Sequence, residues 1–101
     1  MSPTQTVAPA IPLIRLRLKP TLRLTPGGYL FDGSTAETYT LNPTGLCIVR
    51  GMMEGRDPVG LWSDLVAGFA VPETRARRDV RRFLADLRAA RLLVEDPVGA
   101  L

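Results

Sequence analysis

Few side chains in this sequence could carry out covalent or acid–base chemistry. Histidine is absent, which removes the commonest general base and the commonest metal ligand. The single cysteine, Cys47, lies in an apolar run with no histidine to activate it, so we expect a structural thiol. No acidic pair has the spacing of an acid–base or metal site, and Asp57 before Pro58 is typical of a helix cap. The sequence therefore predicts a protein that is not an enzyme, with no catalytic residue, no metal and no cofactor.

Arginine is the charged side chain that concentrates in one place. Residues 73–91 contain seven arginines and three acidic residues, a local excess of four positive charges. On a helix that turns about 100° per residue, one flank of the apolar stripe carries Arg77, Arg81 and Arg88, and the other carries Asp79 and Asp86. Two interpretations stay open. Either the flanks are a solvated surface with weak ion pairs such as Arg82–Asp86, or they border a groove that binds an acidic or amphipathic segment.

Length and composition limit the classes of protein to which this chain can belong. The 101 residues are enough for one domain, and 13 basic against 10 acidic residues give a net charge of +3, too little for a nucleic-acid coat. No apolar run reaches the roughly 18 residues of a membrane helix, so no membrane partner is expected. The N-terminus lacks the basic and apolar regions of a secretion signal. These features predict a cytoplasmic protein.

The first half of the chain has the alternation of β-strands. Residues 1–12 carry no charge and three prolines, which is typical of a flexible tail. Apolar and basic residues then alternate over residues 13–18, a half-buried strand with a solvated basic face. Shorter strands follow at 22–24, 28–32 and 37–41, separated by turn signals at Pro26-Gly27 and Asp32-Gly33-Ser34. Such spacing predicts a three-stranded antiparallel meander, with the strand at 13–18 as a fourth.

After Leu41 the apolar period changes to that of helices. Asn42-Pro43 and Asp57-Pro58 are helix starts, and a third helix is expected over residues 73–92. The expected buried stripes are Leu46, Ile48, Val49, Met52 and Met53; Leu61, Trp62, Leu65, Val66 and Phe69; and Val80, Phe83, Leu84 and Leu87. Residues 97–101 are expected to be a C-terminal tail. The sequence thus predicts one α+β domain over residues 13–96, winged-helix-like, with an N-terminal three-stranded antiparallel sheet followed by three helices.

The outer edge of the third meander strand is a candidate binding surface. Thr38, Tyr39 and Thr40 are good strand formers without the lysine, proline or bulge that usually protects an edge. An open edge beside an amphipathic helix suits β-strand addition by a peptide. The alternative is that residues 13–18 cover this edge.

Several runs resemble one family. They are Tyr29-Leu-Phe-Asp-Gly33, Tyr39-Thr-Leu-Asn-Pro-Thr-Gly45, Met53-Glu-Gly55, and Asp79-Val-Arg-Arg-Phe-Leu-Ala-Asp-Leu87 followed by Leu92-Leu93. In this order and spacing, over residues 21–95, they resemble the PqqD-like peptide chaperones, also called RiPP recognition elements. Relatives often have glycine where Arg91 stands, and the strand at 13–18 lies outside the resemblance.

The resemblance implies a domain that catalyses nothing itself. It implies binding of the leader segment of a ribosomally made precursor peptide, which adds as a strand and lies against the third helix. The leader is then presented to a modifying enzyme, often a radical SAM protein. The positions that would carry peptide binding are Glu37, Thr38, Tyr39, Thr40 and Leu41 at the strand edge, and Arg77, Val80, Arg81, Leu84 and Arg88 along the helix. Charge alone suggests that the arginine flank faces an acidic leader.

Two other functions are kept as alternatives. One is a DNA-binding winged-helix regulator with the arginine-rich helix in the major groove, although the strands come first and almost nothing is expected after the third helix. Nucleic acid is therefore not the expected partner. The other is a structural homodimer that pairs strand edges. We expect residues 13–18 to pair with a free edge, either within one chain or across such a dimer.

Overall fold

The computed structural model describes residues 14–97 and has eight elements of secondary structure. They are β1 (Ile14–Leu18), β2 (Leu22–Leu24), β3 (Tyr29–Asp32), β4 (Glu37–Thr40), α1 (Pro43–Met53), α2 (Pro58–Phe69), α3 (Glu73–Ala89) and β5 (Leu93–Pro97). The predicted tail at 1–12 and residues 98–101 of the predicted C-terminal tail lie outside the described residues. Pro97, assigned to that tail, is the last residue of β5.

The predicted meander is confirmed. Strands β2, β3 and β4 form an antiparallel sheet in that order, with Leu24 opposite Leu30 and Leu30 opposite Tyr39. The first turn requires a glycine, because Gly28 has φ of +84° while its N–H donates to the carbonyl of Thr25. Leu22 and Leu30 point into the core, as the alternation predicts. The mixed α+β fold, with this sheet followed by three helices, is the one expected.

Helix starts follow the predicted cap chemistry. The Asn42 side-chain oxygen accepts the N–H of Gly45 at 2.7 Å, and the Asp57 carboxylate accepts the N–H of Gly60 at 2.8 Å. Proline occupies the first turn of both helices, where its missing N–H costs nothing. Helix α3 begins after Pro72 without a side-chain cap.

The core has two parts that meet along α1 and α3. Leu22, Leu30, Val49, Leu87 and Leu92 form a sheet-side cluster. A helix-side cluster joins the three helices through Ile48, Leu61, Leu65, Ala76 and Val80. Partly buried Met52, Phe83 and Leu84 pack against both clusters and so connect them.

Three residues of the predicted stripes are exposed. Met53, Val66 and Phe69 are 44%, 36% and 38% exposed. Helix α2 packs against α1 and α3 through Leu61 and Leu65, and no described element covers its opposite side. The buried stripe is therefore narrower than the apolar stripe of the sequence. None of the described helices is long and apolar enough to span a membrane.

The end of α3 differs from the expectation. The helix ends at Ala89, and Arg91 adopts the left-handed conformation with φ of +62°. Arg91 N–H donates to the Arg88 carbonyl and Leu92 N–H to the Leu87 carbonyl, the bonding pattern of a Schellman motif. This motif reverses the chain into β5, so the expectation that almost nothing follows the third helix was wrong.

Strand β1 finds its partner in β5. The two strands pair antiparallel, with Ile14 opposite Pro97 and Leu18 opposite Leu93, and they form a separate two-stranded sheet. The predicted strand at 13–18 is thus confirmed over residues 14–18, and its partner lies within the same chain. It does not cover the edge of β4. The sequence did not indicate β5, because Leu92-Leu93-Val94 is too short an apolar run to identify a strand.

Candidate functional site

Backbone groups at the outer edge of β4 are directed away from the sheet. The Tyr29 carbonyl accepts the Thr25 N–H and the Gly33 N–H donates to the Thr21 carbonyl, so odd-numbered positions of β3 face β2. Alternation then directs Leu30 and Asp32 of β3 toward β4, which makes Leu30–Tyr39 a hydrogen-bonded pair. The intervening residues Thr38 and Thr40 consequently direct their N–H and C=O groups outward. No described residue bonds these outward groups.

The opposite edge of the same sheet is closed by local bonds. At β2, the Leu22 N–H donates to the Lys19 carbonyl at 3.1 Å. The Leu22 carbonyl accepts a hydrogen bond from Nη1 of Arg23 at 2.9 Å. These contacts occupy the outward backbone groups of Leu22, which an added strand would need. Within the described meander, the edge of β4 is therefore the more open of the two.

A groove follows the open edge. Between β4 and α3 lies a cavity of about 300 Å³, open to solvent on one side. Its lining is Leu30, Tyr39, Thr40, Leu41 and Asn42 on the strand side, and Phe83, Asp86, Leu87, Ala90 and Leu92 on the helix side. Most of these side chains are apolar, so the cavity can accept apolar side chains from a strand laid along β4.

The cavity lies on the acidic flank of α3. Asp86 is among its lining residues, and no arginine is. On the other flank, the guanidinium of Arg77 lies 5.0 Å from the ring centroid of Trp62 on α2, and Nη2 of Arg88 lies 2.9 Å from a carboxylate oxygen of Glu95 on β5. Two of the three arginines of this flank are therefore directed toward α2 and β5. This arrangement differs from the charge argument made on the sequence alone.

The structure brings together part of the predicted site. Tyr39, Thr40 and Leu41 line the cavity. At the start of β4, Glu37 accepts a 2.8 Å hydrogen bond from the Tyr39 hydroxyl. This bond to a carboxylate raises the pKa of Tyr39, so the phenol remains a donor at neutral pH. Thr38 is exposed on the face of the sheet opposite the cavity.

The predicted helix residues are placed differently. Val80 is fully buried in the helix-side cluster, and Leu84 packs between the two clusters. Arg81 is exposed. The roles assigned to the five helix positions in peptide binding stay predictions. The sequence did not assign Phe83, Asp86, Leu87, Ala90 or Leu92 to the site, although Phe83 and Leu87 were expected in the apolar face and Asp86 on its flank.

A buried carboxylate holds the turn before β4. Asp32 is 1% exposed and accepts bonds from Nζ of Lys19 and Oγ1 of Thr21, both at 2.7 Å. It also accepts the backbone N–H of Ser34 at 2.9 Å and its hydroxyl at 2.8 Å. The Lys19 bond is the largest of the influences that hold the pKa of Asp32 well below its usual range. This ion pair fixes the β3–β4 turn to the segment that follows β1.

Cys47 lies beside a second cavity, of about 370 Å³, between α1 and α2. Burial is the main cause that raises the pKa of its thiol, which disfavours the nucleophilic thiolate. These surroundings fit a structural thiol. Among residues 14–97, no group of three or more cysteine, aspartate or glutamate side chains could hold a metal ion.

The chain matches a protein-family model over most of its length. The model described as coenzyme PQQ synthesis protein D (PqqD) matches residues 27–93, from the first turn of the meander to the start of β5. The chain belongs to the PqqD family. The PqqD match confirms the resemblance seen in the sequence, and it leaves β1 and β2 outside the matched region.

A solved structure is similar to this PqqD-family chain. It is described as "Lasso peptide synthetase B1 complexed with the leader peptide", with a TM-score of 0.67 and 28% sequence identity. The similarity covers 78% of this chain and 96% of that one. Comparison with curated proteins gives no match. The structural relative is thus a leader-peptide complex that shares nearly its whole fold with this PqqD-family domain.

Proposed function

We propose that this chain binds the leader segment of a ribosomally synthesised precursor peptide by strand addition to β4. The observation that carries the proposal is the open edge at Thr38 and Thr40 beside a largely apolar cavity. Membership of the PqqD family and likeness to a protein described in complex with a leader peptide support it. The edge supplies backbone bonds for affinity, and the cavity supplies selectivity for side chains.

The geometry of an added strand follows from the register of β4. Its backbone would bond the N–H and C=O groups of Thr38 and Thr40. Residues of the leader opposite Tyr39 and Leu41 would then direct their side chains to the face that contains the cavity. Neighbouring leader residues would lie beside the exposed Thr38 and Thr40 side chains. Every second leader residue is therefore selected by the groove.

The wall of the binding groove is the part of the predicted site that the proposal changes. Phe83, Leu87 and Ala90 take the place of Val80 and Leu84 as helix contacts, because they line the cavity while Val80 is buried. Arg77 and Arg88 act within the domain, where they contact α2 and β5. Arg81 is exposed and free to contact parts of the precursor or partner outside the groove.

The chain would contribute binding and leave the chemistry to a partner. We propose that the bound leader is presented to a modifying enzyme in the cytoplasm, of the radical SAM class that the family resemblance implies. The domain offers no histidine, and its one cysteine has a raised pKa. Its role is then to increase the local concentration of the precursor at that enzyme.

The experiment is an amide NMR titration of the full chain with the leader of a short precursor peptide encoded next to its gene. Shifts confined to residues 37–41 and the groove side of α3 are expected. Absence of shifts with that leader, together with salt-sensitive shifts along α3 with duplex DNA, would instead favour the regulator alternative. No observation on the structure favours that alternative, and neither matched description refers to nucleic acid.

A further inference from the structure

We propose that Asp86 makes the groove select a leader segment with a lysine or arginine at one position that faces the cavity. This inference rests on the proposed function and specifies its substrate class. It also reverses the expectation of an acidic leader that the arginine count suggested. The recognised pattern is a basic residue two positions from an apolar one, because alternate residues of an added strand share a face.

The charge distribution around the cavity carries the argument. Asp86 is the charged residue among the described residues that line it. The other acidic residues of α3 already have partners, since Asp79 pairs with Arg75 and Glu73 with Arg77. Asp86 forms no ion pair with a described residue, and Arg82, one turn earlier, does not reach it. Its carboxylate is therefore available to a cation supplied by a ligand.

A peptide in the cavity would change the solvation of the Asp86 carboxylate. In the free domain Asp86 is exposed and hydrated. A strand laid along β4 would displace water from a cavity with mostly apolar walls, and an unpaired carboxylate would then lose solvation. A basic side chain on the strand restores a partner, whereas an acidic one would add repulsion. Glu37, on the same face of β4 as Tyr39, gives the edge a second negative charge.

No described lysine or arginine lines the cavity. Arg88 lies on the opposite flank of α3 and pairs with Glu95, and Lys19 pairs with the buried Asp32. The arginine excess of α3 is therefore directed away from the cavity. Net charge alone would predict the opposite preference, so the two interpretations give different results with the same peptides.

The experiment starts from a random peptide library displayed on its encoding RNA and selected on the full chain. Selections on the wild type, on Asp86→Asn and on Asp86→Arg are compared by sequencing. We expect the wild type to enrich lysine or arginine at one fixed position two residues from an apolar position. Asp86→Asn should lose that preference, and Asp86→Arg should replace it with aspartate or glutamate. Glu54→Gln removes one carboxylate elsewhere on the surface and should enrich the wild-type pattern.

Selected peptides are then synthesised with the basic residue or with norleucine in its place, and their affinities are measured. Asp86→Asn should weaken binding of the basic peptide about fivefold and leave the norleucine peptide unchanged. Equal enrichment of charge in all three selections would overturn the role of Asp86. If no selected peptide loses binding on Thr40→Pro, the groove is not a strand site and the proposed function itself fails. The two failures are thus separate.

Discussion

In the proposed site, Thr40 acts through its backbone and hardly through its side chain. Its N–H is directed away from β3 at the sheet edge, so Thr40→Pro removes a donor for an incoming strand without breaking a bond to β3. We expect leader affinity to fall at least about tenfold, because a lost backbone bond and the blocked approach each cost on the order of 1 kcal/mol. Fluorescence anisotropy with a labelled leader measures this. Thr40→Val keeps the N–H and should bind within about twofold of wild type.

Arg91 is a residue whose backbone conformation conflicts with its type. Its φ of +62° costs an L-residue free energy that glycine does not pay. We expect Arg91→Gly to raise the free energy of unfolding by about 1 kcal/mol, measured by urea denaturation. The same change at Arg82, inside α3, should lower it by about 1 kcal/mol. A lower stability for Arg91→Gly would show that the arginine side chain compensates for the strain.

Asp32 makes stability depend on pH in the acid range. Because its pKa in the folded state is lower than the ordinary value of 3.8, the ionised form favours folding. This contribution is present above pH 4 and is lost as the pH falls below the ordinary value. Below about pH 4, we expect the unfolding free energy of the wild type to decline with falling pH more steeply than that of Asp32→Asn. Equal slopes in urea denaturation at a series of pH values would contradict the assignment.

At the scale of elements, local signals were sufficient for the meander and for the starts of α1 and α2. The turn at Gly28 and the caps Asn42 and Asp57 are each encoded by a few neighbouring residues, and alternation identifies which residues face the core. The end of α3 was not predictable in this way. Arginine is rare in a left-handed position, so Arg91 gives no stop signal, and β5 is recognised only through its pairing with β1.

Only one side of the proposed binding groove follows from the sequence. The strand edge follows from Thr38, Tyr39 and Thr40, whose types and spacing identify β4. The helix side depends on how α3 rotates about its axis against the sheet, which Phe83 helps to set by packing against the first turn of α1 near Gly45. Charge counting could not reveal that rotation, so the expectation that the arginine flank faces a leader rests on charge alone and stays a prediction.

The pairing of β1 with β5 supports the groove from outside the region that matches the family. Lys19 N–H, just after β1, donates to the carbonyl of Leu92, a residue that lines the cavity. Removal of residues 1–18 should leave the amides of β5 unprotected in hydrogen exchange. It should also cost about 2 kcal/mol of stability, since Leu16 and Leu18 are partly buried. Removal of residues 1–12 alone should change neither quantity. Protection of the β5 amides in the chain that lacks residues 1–18 would mean that β5 has another partner.

At the scale of the whole molecule, we expect stability and leader binding to depend on different parts of the core. Leu65 is fully buried in the helix-side cluster, and Leu30 is fully buried in the sheet-side cluster and lines the cavity. Leu65→Ala should lower the unfolding free energy by about 3 kcal/mol and leave leader affinity within about twofold. Leu30→Ala should lower both. Urea denaturation and a binding titration on each folded variant test this. Equal losses of affinity would show that the two clusters respond as one.

The register of β1 against β5 has a consequence for how such a domain can be joined to other proteins. Ile14 lies opposite Pro97, so the chain enters and leaves the domain at adjacent points, about one strand spacing apart. A surface loop of a host enzyme can bridge that spacing without stretching. The domain is therefore suited to transplantation as an insert. Residues 14–97, inserted into a surface loop of an unrelated modifying enzyme, should retain the groove. The insert should then direct that enzyme to substrates that carry the matching leader.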